Sequence, residues 1–173
     1  MHVETPDLAL LQDVVSDKVL AAMLIASEQL DKIGVRHVLV GGLAVGAHGY
    51  PRATKDVDFL VSEDAFEHHP GGFVTMKAGM PIQVNGVLVD FLSAEAMHVA
   101  MDPPLGKVGI QIASLQTLVH LKLLSPRQKD ASDLIELIKA GAAINIVRDY
   151  LQQHAPKSLL RWEQLIKDAA AEE

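Results

Sequence analysis

Asp56 and Asp58 stand one residue apart in Thr54-Lys55-Asp56-Val57-Asp58-Phe59-Leu60-Val61, a stretch whose end is apolar. On a strand, side chains at i and i+2 point the same way, so the two carboxylates can share one cation. At about 4–5 Å and an effective dielectric of ~20 they repel by roughly 3–4 kcal/mol. Packing gives no reason to accept that repulsion, whereas a bound cation does. Asp90 lies in the otherwise apolar run 87–92 and offers a third carboxylate from a second strand. Hard oxygen ligands suit Mg²⁺ or Mn²⁺, ions that also engage phosphates. Upstream, Gly41-Gly42 follows an apolar run and opens a short helical pattern. Backbone N–H groups and the helix dipole can hold phosphate at such a place. Asp-x-Asp alone reads more readily as a strand edge with one carboxylate in solvent than as a metal site. Strand, glycine turn, short helix and Asp-x-Asp in succession point to chemistry on a phosphate.

Other polar residues have weaker claims. Arg52 is a candidate phosphate contact and Thr54 a candidate to orient Asp56, and each reads equally as part of an exposed turn. Lys122 interrupts an otherwise apolar helix, which favours a function over a snorkelling lysine. Asp130 is expected to cap a helix start. Arg127 or Lys129 is a candidate to face substrate, and Asp133 lies in the same segment. His68-His69, in a Pro-Gly loop, reads as solvated rather than metal-binding. His48 is expected to satisfy a helix-end carbonyl. No Gly-x-Ser-x-Gly, Walker A or His-Glu-x-x-His pattern is present.

These residues need elements to position them. Val15, Val19, Ala22, Met23, Ala26 and Leu30 recur at helical spacing, with Ser16 as cap and Gly34 as stop. Residues 36–40 predict a buried strand and residues 43–48 a short helix ended by Tyr50-Pro51. Residues 56–61 predict a strand with Asp56 and Asp58 on one face and Val57 and Phe59 on the other. Residues 68–72 predict a loop, and 73–76 and 81–84 further strands. Asn85-Gly86 then joins 82–84 to 87–92 as a hairpin. Residues 108–112 predict one more strand. Beyond it, Ser114 caps a helix ended by Pro126, residues 131–140 form a second helix stopped by Gly141, and 144–154 and 158–170 give two more with Pro156 between. The expected architecture is α+β in a single domain, with a mixed-sheet core over about 35–112 and a helical part over about 113–173.

Composition narrows the function. At 173 residues with 49% hydrophobic and 21% charged residues, the chain can bury a real core. The absence of cysteine excludes a disulfide framework, a thiolate zinc site and a cysteine nucleophile. No apolar run is long enough to span a bilayer, and no basic leader precedes residues 19–25, so a cytoplasmic protein with no membrane partner is expected. A net charge of −7 argues against a broad nucleic-acid-binding face, though not against contact with an RNA end.

The segment Val40-Gly41-Gly42-Leu43-Ala44-Val45-Gly46-Ala47-His48-Gly49-Tyr50-Pro51-Arg52-Ala53-Thr54-Lys55-Asp56-Val57-Asp58-Phe59-Leu60-Val61 resembles the signature of the DNA polymerase beta-like nucleotidyltransferase superfamily. It is most similar to the branch of small bacterial abortive-infection and toxin–antitoxin nucleotidyltransferases. Leu121-Lys122-Leu123-Leu124-Ser125-Pro126-Arg127-Gln128-Lys129-Asp130-Ala131-Ser132-Asp133-Leu134 resembles that branch's second stretch. The resemblance covers roughly residues 35–140. It implies a small mixed sheet flanked by helices that binds an NTP with Mg²⁺ or Mn²⁺. Gly41 and Gly42 would hold the triphosphate through their backbone, Asp56 and Asp58 would ligate metal, and Asp90 would complete the metal site and help activate the attacking hydroxyl. Lys122 would hold the triphosphate tail. Many catalytic members carry Gly-Ser at the turn, so Gly-Gly leaves one hydroxyl contact fewer. The implied reaction moves a nucleotide to a tRNA end, a protein side chain or a small molecule, with an antitoxin or toxin as a further partner. The rival is a binding module that kept the fold without turnover, as one half of such a pair.

Overall fold

The computed structural model describes residues 5–66, 82–106 and 109–172. After a short 3-10 turn at Leu8–Leu11 come α1 (Asp17–Lys32), β1 (His37–Val40), α2 (Gly41–Ala47) and β2 (Val57–Val61). Then follow β3 (Ile82–Val84), β4 (Val87–Ser93), the one-turn α3 (Ala94–Met97), and four helices: α4 (Leu115–Leu124), α5 (Gln128–Lys139), α6 (Ile144–His154) and α7 (Pro156–Ala171). The expected loop at 68–72, the expected strand at 73–76 and Pro81 lie outside the described residues.

The sheet is mixed, in the order β1-β2-β4-β3. β1 runs antiparallel to β2, β2 parallel to β4, and β3 antiparallel to β4. The hairpin forms where Asn85-Gly86 predicts it. Both residues have positive φ, at 49° and 81°, as a turn matched to the strand twist requires. The strand expected at 108–112 is only a single parallel bridge among the described residues, Ile112 beside Leu39. Leu39 N–H donates to the Gln111 carbonyl at 2.8 Å and Ala113 N–H to the Leu39 carbonyl at 2.9 Å.

Strand alternation divides the packing. Val57, Phe59 and Val61 of β2, with Val89 and Phe91 of β4, face α1 and meet Val19, Met23, Ala26 and Leu30. The Phe59 and Phe91 rings stack with centroids 6.5 Å apart. Burying each side chain of this size contributes roughly 1.5–3 kcal/mol. On the opposite face Val38, Val40 and Leu60 meet Ala94, Val99 and Leu121 of α4. The helices α4–α7 close on a core of Leu118, Leu134, Leu137, Val147, Leu151 and the fully buried Trp162, joined by Ala44 and Val45 of α2. The glycine-opened helix is thus the joint between sheet and helical part.

The helix limits follow from local chemistry. Ser16 Oγ accepts from Val19 N–H at the start of α1, with Asp17 in the first turn and Lys32 in the last, as the helix dipole favours. Ser114 Oγ accepts from Thr117 N–H at 3.2 Å to open α4. Gly141, at φ 96°, follows α5. Pro156 does not merely separate the last two helices. It is the first residue of α7, where a missing N–H costs nothing.

Candidate active site

The parallel register places Asp58 of β2 directly beside Asp90 of β4. Because Val57 and Phe59 take the α1 side, both carboxylates project from the other face, toward α4. Asp90 Oδ1 accepts from Phe91 N–H at 2.9 Å. Asp56 lies one residue before β2 and is exposed.

Gly41-Gly42 closes around this pair. Gly41 has φ +68°, and a Cβ there would lie 2.2 Å from Asp58 Oδ2, so conformation and proximity both demand glycine. A Cβ on Gly42 would lie 3.0 Å from Thr54 Oγ1 and 3.1 and 3.2 Å from Arg52 Nη2 and Nη1. Successive glycines therefore admit a carboxylate on one side of the turn and a guanidinium on the other. Thr54 stands against this turn.

Gly41, Asp58 and Asp90 line a cavity of about 560 Å³. Lys122, Ser125, Arg127 and Asp130 form its opposite polar wall, and Leu92, Leu118, Leu121 and Leu124 contribute apolar surface. Burial, then the neighbouring charges of Asp90 and Asp56, push the Asp58 carboxyl up to about 6, although Lys122 and Arg127 pull the other way. A larger cavity of about 730 Å³, between β1 and the loop carrying Pro103 and Pro104, contains none of these residues.

The polar wall is a buried ion network. Lys122 Nζ donates to Asp130 Oδ1 at 2.7 Å and to Asp133 Oδ2 at 2.9 Å. Arg52 grips Asp133 with two bonds of 2.8 Å, from Nε and Nη2. Asp130 Oδ2 accepts from Ser125 Oγ at 2.5 Å and Arg127 Nε at 2.8 Å. Burial alone would raise Asp130, but the bonds from Lys122, Ser125 and Arg127 outweigh it and hold the carboxyl down at about 2. Asp133 is lowered in the same way: Arg52 and Lys122 outweigh burial.

Asp130 is not the expected helix cap. Arg127 occupies the cap position without a capping side-chain bond, and Asp130 turns across to α4 because a buried lysine there needs a partner. Lys122 is 6% exposed with its ammonium bonded to Asp130 and Asp133, whereas the Arg127 side chain is 73% exposed. Arg52 is engaged by Asp133 rather than directed to open solvent. His48 does satisfy a carbonyl, but that of Ala113 across the bridge, at 2.7 Å. Asp133 and Ser125 received no role from the sequence. The signal for Asp133 is its i+3 spacing from Asp130, which puts both carboxylates on one helix face toward the lone lysine of α4.

Asp58 and Asp90 offer hard oxygen donors beside the glycine turn, a chemistry that fits a divalent cation. Among the described residues, no three His, Asp or Glu side chains are grouped to hold a metal by themselves. A cation at this pair would take further ligands from phosphate or water, as Mg²⁺ commonly does.

No family model and no curated protein matches the chain. Among solved structures, an antigenic nucleotidyltransferase-like protein from Paracoccidioides brasiliensis is similar at 16% identity, with a TM-score of 0.46 over 89% of this chain and 94% of that one.

Proposed function

We propose that this chain is a metal-dependent nucleotidyltransferase, which transfers a nucleotide from an NTP to an acceptor hydroxyl. The observation that carries the reading is the in-register pair Asp58–Asp90, with Asp58 Oδ2 occupying the space a side chain on Gly41 would need. Asp58 and Asp90, with Asp56 from the approach to β2, would hold Mg²⁺ or Mn²⁺, which supplies charge neutralisation for the phosphates. The Gly41-Gly42 backbone would receive the triphosphate. Arg127, exposed at the cavity rim, is the cation best placed to meet an incoming phosphate oxygen. Lys122 would act on the tail through its field, since two of its three ammonium hydrogens already serve Asp130 and Asp133. The acceptor oxygen attacks the α-phosphorus, the bond to the bridging oxygen breaks, and pyrophosphate leaves. Asp90 takes up the proton of the attacking hydroxyl. The acceptor classes are a tRNA end, a protein side chain and a small molecule, within a cytoplasmic toxin–antitoxin pair.

A second reading, a binding module without turnover, is favoured by one observation: Asp56 is exposed and does not line the cavity with the other two carboxylates. Incubating the protein with each labelled NTP, Mn²⁺ or Mg²⁺ and total cell extract separates the two. The enzyme labels an acceptor, and Asp58→Asn abolishes labelling while binding NTP within a few-fold of wild type. Wild type and Asp58→Asn equally silent with every NTP would establish the module instead.

A further inference from the structure

Arg52 lies between two things the sequence keeps 91 residues apart, the glycine turn at the head of α2 and Asp133 in the middle of α5. Its guanidinium meets Asp133 through two parallel bonds of 2.8 Å and lies just over 3 Å from where a side chain on Gly42 would begin. Asp133 is 2% exposed and its second oxygen also accepts from Lys122, so this anchor cannot swing away. A bidentate arginine–carboxylate pair fixes the plane of the guanidinium as well as its position. The plane fixed here lies against Gly42, the glycine after the one that meets Asp58.

We propose that Asp133 is a positioning residue that sets the Gly41-Gly42 turn through Arg52, so that the helical part of the chain dictates the backbone shape on which the phosphate-facing side of the site depends. Its bearing on nucleotide rests on the reading above, but the mechanical claim does not. Asp133 does not itself line the cavity, and it reaches the turn through the guanidinium alone, its other partner being Lys122 on α4. Removing its charge frees Arg52 to rotate, and the turn loses its backing on the side where glycine offers no side chain of its own.

Amide hydrogen exchange of the α2 amides from Ala44 to Gly46, compared with those at the centre of α1, tests this without any ligand. In Asp133→Asn the α2 amides should exchange about tenfold faster relative to α1, because the turn opens locally. Leu137→Ala, which strips a buried leucine from the same helix, should move both sets by one common factor. Arg52→Gln should reproduce the local effect, and adding Asp133→Asn to it should change little more, since both act through one contact. Asp133→Glu, which keeps the charge, should return the ratio most of the way to wild type. Asp133→Asn and Arg52→Gln both moving α2 and α1 alike would overturn the proposal and leave the pair a purely structural tie. A second measurement, NTP binding with Mn²⁺, should fall about tenfold in Asp133→Asn. A wild type that binds no NTP, with Asp133→Asn and Arg52→Gln still showing the local change in exchange, would sink the nucleotide reading and keep Asp133 as the residue that sets the turn.

Discussion

Two pairs of aspartates stand around one cavity, which Asp58, Asp90 and Asp130 line and Asp133 does not, and they have opposite fates. Asp130 and Asp133 are surrounded by Lys122, Arg52, Arg127 and Ser125, and every carboxylate oxygen receives at least one side-chain bond. Asp58 and Asp90 stand side by side on parallel strands, and the largest charge effect on Asp58 is repulsion from Asp90. Burial acts to raise Asp58, Asp130 and Asp133 alike. Only the first pair has cations close enough to reverse it, so Asp130 falls to about 2 while Asp58 rises to about 6. One pair is part of what holds the chain together, whereas the other is tolerated by the fold at a cost. A fold that keeps a costly pair beside a glycine backbone is arranged for something absent from the polypeptide.

The largest expected effect breaks the paired side. Lys122→Met leaves two buried carboxylates short of a cation and should lower stability by about 3 kcal/mol, within the range for breaking a buried pair. Urea unfolding at pH 7.5 measures it. The sequence alone suggests that methionine suits this apolar helix and leaves the fold untouched, and a stability equal to wild type would return that simpler view.

The next effect has the opposite sign. A carboxyl whose folded pKa lies above its unfolded value binds protons more tightly when folded. The stability it contributes is therefore complete below about pH 4 and lost as pH rises through 6. Wild type should lose about 2–3 kcal/mol across that window from Asp58 alone, at roughly 1.4 kcal/mol for each pH unit of displacement. Asp58→Asn should be flat there, and more stable than wild type at pH 7.5 in the absence of divalent ions. Asp130 runs the other way: its contribution is present above pH 4 and disappears as pH falls through 2. Stability curves for wild type and Asp58→Asn from pH 3 to pH 8 settle the contrast, and parallel curves would dissolve it.

The smallest effect separates the two glycines. Gly41→Ala forces a methyl onto Asp58 Oδ2 at a positive φ and should cost about 1–2 kcal/mol. Gly42→Ala meets Arg52 and Thr54 at 3.0 Å and beyond and should cost less. Thermal melts rank them. Equal losses would mean that the carboxylate gives way as readily as the guanidinium.

The sequence made legible whatever is written in local chemistry. Ser16 and Ser114 cap helices as their spacing suggests, Asn85-Gly86 takes the two positive φ values its turn needs, and the alternation of Val57, Asp58 and Phe59 assigns faces correctly. What pairs with what across the chain was not legible. Nothing local says that Arg52 ends at Asp133 rather than in an open turn, or that Asp130 turns toward Lys122 instead of capping its own helix. Those outcomes depend on α5 packing beside α4, which decides where a buried charge finds its partner. Among the described residues of the strand expected at 108–112 there is one bridge, because an apolar run marks burial and cannot state how many ladder bonds form.

Trp162, fully buried among α4–α7, is the chain's only tryptophan, and the sheet core relies instead on phenylalanines. Intrinsic fluorescence excited at the indole band therefore reports on the helical part alone, while far-ultraviolet circular dichroism averages over all the elements. If the Arg52–Asp133 tie binds the two parts into one cooperative unit, the two signals follow a single transition. Cutting that tie gives a chain whose optical probes separate, so loss of cooperativity can be watched without labels.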